Sequence, residues 1–162
     1  MTTRRTFLGT AAAGLSAALL PMGWSQHAKA ETFAVTHSEA EWRKLLTGDQ
    51  FTVLRRSGTE RPFTSKLLDE HRAGTFSCAG CEQAAFSSDT KFDSGTGWPS
   101  FWAPIEKGVG QETDSSFGMA RTAIHCARCG GHLGHVFDDG PKPTGLRYCM
   151  NGVALSFKPT AA

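Results

Sequence analysis

Four of the five cysteines in this 162-residue chain occur as two pairs with identical spacing. The segment CAGC holds Cys78 and Cys81, and CARC holds Cys126 and Cys129, with 44 residues between the pairs. A C-x2-C turn directs two sulfurs at one ion, and four thiolates complete a tetrahedral Zn2+ site with no open position for water. Because the pairs are far apart in sequence, the fold must bring two separate turns together. The pattern therefore predicts one structural zinc ion per chain.

Disulfides are the main alternative for these four cysteines. Exported proteins meet an oxidising compartment, where paired cysteines commonly form disulfides. Each C-x2-C segment is also compatible with a redox pair. Zinc is favoured because the two spacings match and because the chain is long enough to build a core without disulfides.

The first thirty residues have the order of a secretory signal. Arg4 and Arg5 precede an apolar stretch over residues 7–20, and an A-x-A site ends at Ala30. This stretch is shorter than the roughly 20 residues that cross a bilayer, so a cleaved signal is favoured over a permanent membrane anchor. RRTFLG also resembles the twin-arginine signal, whose pathway carries folded cargo. We therefore expect a twin-arginine-type signal peptide over residues 1–30 and a periplasmic or exported protein that acquires its metal before export.

Cleavage after Ala30 leaves residues 31–162, which suit one domain. The signal holds three of the 17 basic residues and none of the 15 acidic ones, so the remaining chain has 14 against 15 and a net charge of −1. The whole-chain net charge of +2 therefore gives no indication of nucleic-acid binding. Residues 31–162 have no basic run and no acidic tail, and we expect no nucleic-acid partner.

Local patterns predict two short helices followed by a β domain. Ser38 with Glu41 and Thr47 with Gln50 form capping boxes, each ahead of an apolar face. Beyond residue 60 helical periodicity disappears. Short runs then alternate with turn formers such as DSGTG and DDGPKPTG; these runs are GTFSC, SFWAPI, MARTAIHC, GHVF and LRYCMNGVALSF. We expect a small antiparallel β domain.

The fifth cysteine, Cys149, stands apart from the pairs in RYCMNGVALSF. If this segment is one strand, Arg147, Cys149 and Asn151 share a face with the apolar positions 153, 155 and 157. Unpaired polar groups on a core face cost about 1–3 kcal/mol each, which indicates a chemical role. A nearby guanidinium would lower the thiol pKa and supply thiolate. A bulge at Gly152 would exchange the faces, and a buried cysteine acting as a small hydrophobe is the alternative.

Two further segments carry candidate site residues. In GGHLGHVF, His132 and His135 are three apart, so a regular strand would point them to opposite faces, whereas a kink at Gly134 would bring them together. In DSGTGWPSFW, Trp98 precedes Pro99 and is biased toward extended geometry. Taken singly, a histidine is more often structural and a tryptophan more often part of the core. Near a nucleophile, an indole suits an apolar substrate group.

Together, three segments resemble the B-type methionine sulfoxide reductases: GTERPFTSKLLDEHRAGTFSCAGC, FDSGTGWPSFWAPI and GMARTAIHCARCGGHLGHVFDDGPKPTGLRYCMNGVALSF. The resemblance covers most of residues 31–162. It implies a mainly β fold, with two antiparallel sheets in a tent-like domain behind short N-terminal helices. The implied structural zinc lies away from the active site. The implied activity reduces the R epimer of methionine sulfoxide in oxidised proteins to methionine, a repair reaction in the oxidative stress response.

The resemblance also implies roles for individual residues. Cys149 matches the nucleophile, which becomes a sulfenic acid when methionine leaves. His132, His135 and Asn151 match the residues that bind and protonate the sulfoxide oxygen. Trp98 matches the aromatic wall that packs on the substrate methyl group.

At two positions the chain departs from the family pattern. Many members carry a resolving cysteine in the SG-x-GWPSF loop, where this chain has Thr96, and Gly152 replaces a usual serine. With the paired cysteines assigned to zinc, we expect a one-cysteine cycle in which an external reductant, thioredoxin-like or another thiol, restores Cys149.

Three other functions are compatible with parts of the pattern. A zinc-ribbon binding module would use the paired cysteines and bury Cys149 without chemistry. A zinc hydrolase would use His132 and His135 as ligands, although it lacks an evident third ligand and general base. An exported disulfide scaffold would need neither metal nor nucleophile.

Overall fold

The computed structural model describes residues 32–161, which begin with two short helices. Helix α1 spans Glu39–Leu45 and helix α2 spans Gly48–Arg56. Both predicted capping boxes are confirmed: the Ser38 hydroxyl accepts from the Glu41 N–H at 3.3 Å, and the Thr47 hydroxyl accepts from the Gln50 N–H at 3.2 Å. The apolar faces of the helices bury large side chains, Trp42 among them. Each helix is therefore fixed by its N-terminal cap and by core packing.

The rest of the described chain is mainly β, as predicted. The strands are β1 Gly74–Cys78, β2 Ala84–Ser87, β3 Lys91–Phe92, β4 Ser100–Phe101, β5 Val109–Asp114, β6 Arg121–Cys126, β7 His132–Phe137, β8 Arg147–Met150 and β9 Leu155–Pro159. They form a three-stranded sheet in the order β2-β1-β9 and a six-stranded sheet in the order β3-β4-β8-β7-β6-β5. Every pairing is antiparallel. The expectation of two antiparallel sheets is confirmed.

Strands β2, β3 and β5 were not predicted from the sequence. The first two are only four and two residues long, and VGQETD of β5 lacks the apolar alternation of a half-buried strand. Strand β5 lies at the edge of its sheet, where the residues facing solvent carry no apolar signal.

The segment RYCMNGVALSF does not form the single strand on which the shared-face argument depended. Strand β8 ends at Met150, a turn of 3-10 helix covers Gly152–Ala154, and β9 then pairs with β1 in the other sheet. The Ala154 N–H donates to the Asn151 carbonyl at 3.1 Å and closes this turn. The alternation of faces therefore stops at Met150, and Cys149 does not share a face with positions 153, 155 and 157. The 3-10 turn begins at Gly152, where a bulge was considered, and it carries the chain from one sheet to the other.

The two sheets pack together through aromatic side chains. Phe101 of β4 lies 5.0 Å from Phe76 of β1 and stacks on Phe86 of β2 at 4.4 Å, measured between ring centroids. Tyr148 and Met150 of β8 point into this core and are buried. Because neighbouring strand residues point to opposite faces, Cys149 between them lies on the outer face of the six-stranded sheet.

The predicted signal peptide lies outside the described residues. Among residues 32–161, no helix has both the length and the apolar character that crossing a bilayer requires.

Candidate active site and metal centre

The four paired cysteines come together at one end of the sheets. Cys78 ends β1 of the three-stranded sheet, and Cys126 ends β6 of the six-stranded sheet. The Sγ atoms of Cys78 and Cys129 lie 3.7 Å apart, those of Cys81 and Cys126 lie 3.5 Å apart, and all four are within 4.8 Å of one another. Zn–S bonds of about 2.3 Å place tetrahedral sulfurs about 3.8 Å apart. The cluster therefore fits a metal ion with four thiolate ligands.

This geometry does not fit the disulfide alternative. A disulfide requires sulfurs about 2.05 Å apart, and all five cysteines are free. Each pair lies on a turn whose backbone closes on itself: the Glu82 N–H donates to the Cys78 carbonyl at 2.8 Å, and the Gly130 N–H donates to the Cys126 carbonyl at 2.9 Å. Gly130 has a positive φ of 66°, which glycine adopts without strain. A metal here would link the two sheets and both turns.

Cys149 lies near the middle of the six-stranded sheet. In the register of the strands it is directly opposite His135 of β7 and Ser100 of β4. Its Sγ lies 3.9 Å from the Thr96 hydroxyl oxygen. Directly opposite residues present their side chains on one face, so the sulfur and the His135 imidazole are neighbours.

Arg147 is near Cys149, but it does not set the protonation state of the thiol. Its guanidinium makes a two-pronged ion pair with Asp139, with both N–O distances at 2.8 Å. Burial raises the pKa of Cys149 above its ordinary value, and the Thr96 hydroxyl and the Arg147 charge oppose this only in part. The Arg147 guanidinium lowers the pKa of Cys149, as expected, but burial has the larger effect, so the net shift of this pKa is upward.

The two histidines lie close together, but a bulge at Leu133, and not the kink expected at Gly134, brings them there. Strand β7 holds one extra residue opposite β6: Ile124 pairs with Gly134, whereas His125 pairs with His132. Leu133 therefore forms a bulge that re-aims the strand, and the His132 and His135 ring centroids lie 5.2 Å apart. Gly134 serves a different purpose, because a Cβ there would collide with the Cys149 carbonyl of β8.

His132 and His135 have different surroundings. His132 is only 5% exposed, and its Nε2 is buried without a hydrogen-bond partner in the described part of the chain. Burial lowers the pKa of His132 to about 4, so its imidazole is neutral at pH 7. The Nε2 of His135 instead lies 2.8 Å from the Asp114 Oδ2. One imidazole thus has a free nitrogen for a ligand, and the other is oriented by a carboxylate.

Asp114 is a site residue that the sequence analysis missed. Its carboxylate accepts from the Ser116 N–H at 2.8 Å and from the Arg121 guanidinium at 2.7 Å. Hydrogen bonds from Ser116, with a further one from His135, hold the pKa of Asp114 well below its usual range. The carboxylate is therefore ionised and fixes the His135 ring. It lies at the end of the unpredicted strand β5, so no sequence pattern placed it beside β7.

Asn151 and Trp98 are joined through the backbone of Glu60. The Glu60 N–H donates to the Asn151 Oδ1 at 2.9 Å, and the Trp98 Nε1 donates to the Glu60 carbonyl at 3.1 Å. The Asn151 Nδ2 donates to the Leu133 carbonyl at 3.1 Å, which leaves one amide proton for a ligand. Asn151 is buried and Trp98 is half-buried. Glu60 follows helix α2 in a loop, and no periodic signal marked it.

The substitution at Gly152 has a local explanation. A Cβ at this position would collide with the Ser65 side chain, which occupies the space. Gly152 is itself buried, and its N–H is used in a hydrogen bond to the Glu60 carboxylate. Glycine therefore fits at position 152 because the Ser65 side chain fills the space that a serine there would need.

The arrangement suits attack by a thiol on an electrophile whose oxygen accepts hydrogen bonds. A nucleophilic sulfur, a buried neutral imidazole and an oriented imidazole lie on neighbouring strands, with an indole tethered nearby. The zinc hydrolase alternative finds no support, because the paired cysteines are the only metal-ligand cluster found among the described residues.

Comparison with known proteins gives a consistent match. The SelR domain family model matches residues 46–159. The chain is 54% identical over 126 residues to "Peptide methionine sulfoxide reductase MsrB" of Agrobacterium fabrum, covering 77% of this chain and 93% of that protein. The protein of the same name from Pseudomonas putida is 60% identical over 120 residues, covering 74% and 90%. The one from Leptospira interrogans is 53% identical over 127 residues, covering 78% and 97%.

Proposed function

The chain belongs to the SelR-domain family of B-type peptide methionine sulfoxide reductases, and from this membership we propose that it reduces the R epimer of methionine sulfoxide in oxidised proteins to methionine. The observation that carries the residue assignment is the placement of Cys149 directly opposite His135, with the unpartnered Nε2 of His132 in the same cluster.

The chemistry begins with the sulfoxide oxygen. A sulfoxide sulfur becomes a good electrophile as its oxygen gains hydrogen bonds or a proton. His132, being neutral, donates from Nε2 to this oxygen. His135 is oriented by Asp114 and supplies a proton from its other ring nitrogen when the imidazole is charged.

The Cys149 sulfur then attacks the substrate sulfur. The sulfur–oxygen bond of the substrate breaks, methionine leaves as the reduced product, and the oxygen and the thiol proton end on Cys149 as a sulfenic acid. The cysteine sulfur loses the two electrons that the substrate gains, so no further reactant is needed in this half of the cycle.

Trp98 and Asn151 position the substrate. The Trp98 indole packs on the substrate methyl group, and the free amide proton of Asn151 contributes to binding the oxygen. The oxygen donors and the indole would hold two different groups of a tetrahedral sulfur, so exchange of its oxygen and its lone pair would misplace one of those groups. This asymmetry supports selection of one epimer.

An external thiol completes the cycle. Two reductant thiols convert the sulfenic acid back to the Cys149 thiol and release water and a disulfide. Thr96 occupies the place 3.9 Å from the sulfur where a resolving cysteine would act, and the other four cysteines belong to the metal cluster. We assign this role to a thioredoxin-like protein or another small dithiol.

The metal is assigned as Zn2+ with a structural role. The all-sulfur donor set of Cys78, Cys81, Cys126 and Cys129 suits zinc, and four protein ligands leave no position for substrate. Elemental analysis of the purified protein should give one zinc per chain.

The residues before the domain support an assignment to the periplasm or the exterior. Export directed by a twin-arginine signal in residues 1–30 would deliver a protein that had already folded around its metal. Replacing Arg4 and Arg5 together by lysine should leave the protein in the cytoplasmic fraction. Unchanged export of this double variant would refute the assignment.

An epimer-specific assay tests the proposed activity. Each epimer of a methionine sulfoxide peptide is incubated with dithiothreitol and either the wild type or Cys149→Ser. Turnover of the R epimer alone by the wild type, lost in the variant, is the expected result. Full activity in Cys149→Ser would refute the nucleophile, and turnover of the S epimer would refute the substrate assignment.

A further inference from the structure

Glu60 is bonded to the start of the turn that follows the nucleophile strand. Its carboxylate accepts from the Gly152 N–H and, at 3.0 Å, from the Val153 N–H. These are the first two residues of the 3-10 turn that carries the chain from β8 into the other sheet. A carboxylate that accepts two backbone N–H groups forms charge-assisted hydrogen bonds, which are stronger than neutral ones, and here they form a tether.

The same residue holds both proposed substrate-positioning side chains through its backbone. Its N–H fixes the Asn151 carboxamide oxygen, and its carbonyl fixes the Trp98 indole N–H. Residue 60 therefore links the oxygen-binding side and the methyl-binding side of the site, although it is distant from both in sequence.

The turn that Glu60 holds borders a cavity on one side. Gly152 and Val153 line a cavity of about 730 Å3, which also borders helix α2 and residues 59–67. The Ser65 side chain occupies the space directly at Gly152, and it lines the same cavity. The hydrogen bonds to Glu60 hold the first two residues of the turn at the edge of this cavity, while the Ala79 N–H holds its last residue by donating to the Ala154 carbonyl at 2.9 Å.

We propose that Glu60 is a positioning residue for the reductase site. Its carboxylate anchors the turn after Cys149, and the backbone of Glu60 thereby holds Asn151 and Trp98 in the geometry for binding the sulfoxide. The inference rests on the proposed function, because it assigns Glu60 to the same reaction. Glu60 acts through Asn151 and Trp98 and need not touch the substrate.

The chemistry of the tether explains why this residue is a glutamate. A carboxylate offers two acceptor oxygens to the two N–H groups. A glutamine offers one oxygen, and its NH2 group would face the second N–H as an opposing donor. Glu60→Gln therefore keeps the shape of the side chain but loses one of the two bonds, whereas Glu60→Ala loses both.

The test compares these two variants with the wild type and with Glu106→Gln. Glu106 has 89% of its side chain exposed, so its variant controls for loss of a surface carboxylate. Rates with the R epimer of a methionine sulfoxide peptide separate kcat from KM. Melting temperature and zinc content report the fold. A small misplacement of a site costs about 100-fold in rate. We expect kcat/KM to fall by about that factor in Glu60→Ala and by about tenfold in Glu60→Gln.

Two further readouts separate positioning from general loss of structure. Trp98 emission, isolated by subtracting the spectrum of Trp98→Phe, should shift in both Glu60 variants and lose its response to the substrate. Alkylation of Cys149 by iodoacetamide requires no substrate pocket, and its rate should stay within about twofold of the wild type. Glu106→Gln should match the wild type in every measurement.

The outcomes distinguish this inference from the proposed function. If the wild type reduces the R epimer and both Glu60 variants keep its kcat/KM and its Trp98 emission, the inference is overturned and the proposed function stands. Loss of zinc and cooperative melting in both variants would show that Glu60 serves only the fold, which also overturns it. Failure of the wild type to reduce the R epimer would refute the proposed function itself.

Discussion

A buried neutral histidine should make the stability of this protein depend on pH in a specific way. His132 is 5% exposed, and burial lowers its pKa from 6.5 to about 4. The unfolded chain therefore binds this proton more readily than the folded protein does. The stability associated with the neutral imidazole is fully present above pH 6.5 and is lost as the pH falls toward 4.

The magnitude follows from the difference between the two pKa values. One pKa unit corresponds to about 1.4 kcal/mol, so full protonation removes about 3 kcal/mol of the free energy of unfolding. Most of this loss, about 2 kcal/mol, should occur between pH 7 and pH 5. In His132→Gln the same side-chain position carries no titrating group, so this component of the pH dependence should disappear.

Urea unfolding at pH 7, 6 and 5 provides the measurement. The wild type should lose about 2 kcal/mol more than His132→Gln over this range. Metal content is measured at each pH, because protonation of the thiolate ligands also weakens metal binding. His71→Gln, which removes an exposed imidazole, controls for the loss of a histidine at the surface. Parallel pH profiles for the wild type and His132→Gln would refute the assignment of a buried neutral imidazole.

Three further predictions concern the neighbourhood of the nucleophile. In Thr96→Cys, one turnover without reductant should consume two thiols instead of one, because the side chain at 96 lies 3.9 Å from the Cys149 sulfur and would form a disulfide with it. A loss of only one thiol, measured by mass spectrometry, would contradict this. Gly152→Ser should lower the free energy of unfolding by about 1–3 kcal/mol through overpacking, and Ser65→Gly in the same chain should restore it; no recovery in urea unfolding would exclude the proposed collision. Arg147→Gln should raise the pKa of Cys149 further, so the midpoint of the pH profile for alkylation should move upward, and a downward move would show that the guanidinium does not stabilise the thiolate.

Much of the local structure was predictable because it depends on neighbouring residues. The two capping boxes need only residues three apart, and both helices begin where these predict. GTFSC forms β1 over the predicted residues. The strands that were missed, such as β5, are short or lie at a sheet edge, where pairing with a neighbour replaces the apolar pattern that a sequence can show.

The shared-face argument for RYCMNGVALSF, which assumed one continuous strand, shows where local reasoning fails. Alternation of side chains holds only while the backbone stays in one sheet. The bonds that end β8 come from distant parts of the chain, since the Asn151 N–H donates to the Leu133 carbonyl and the Met150 N–H donates to the Pro99 carbonyl. Within the segment, hydrogen bonds such as that from the Ala154 N–H to the Asn151 carbonyl mark the turn, and no residue pattern in the sequence predicted it.

Sequence alone determined the inventory of chemistry: two matched cysteine pairs, one separate cysteine, and the histidines, asparagine and tryptophan that accompany it. Residue type and spacing suffice for this, because ligand and nucleophile chemistry belongs to the side chains themselves. Only the tertiary structure decided how those groups are tuned. The bulge at Leu133 joins the histidines, burial keeps His132 neutral and outweighs Arg147 at Cys149, and Asp114 and Glu60 reach the site from distant segments. Burial and long-range hydrogen bonds arise from contacts between residues far apart in the chain, so they exist only once the sheets have assembled.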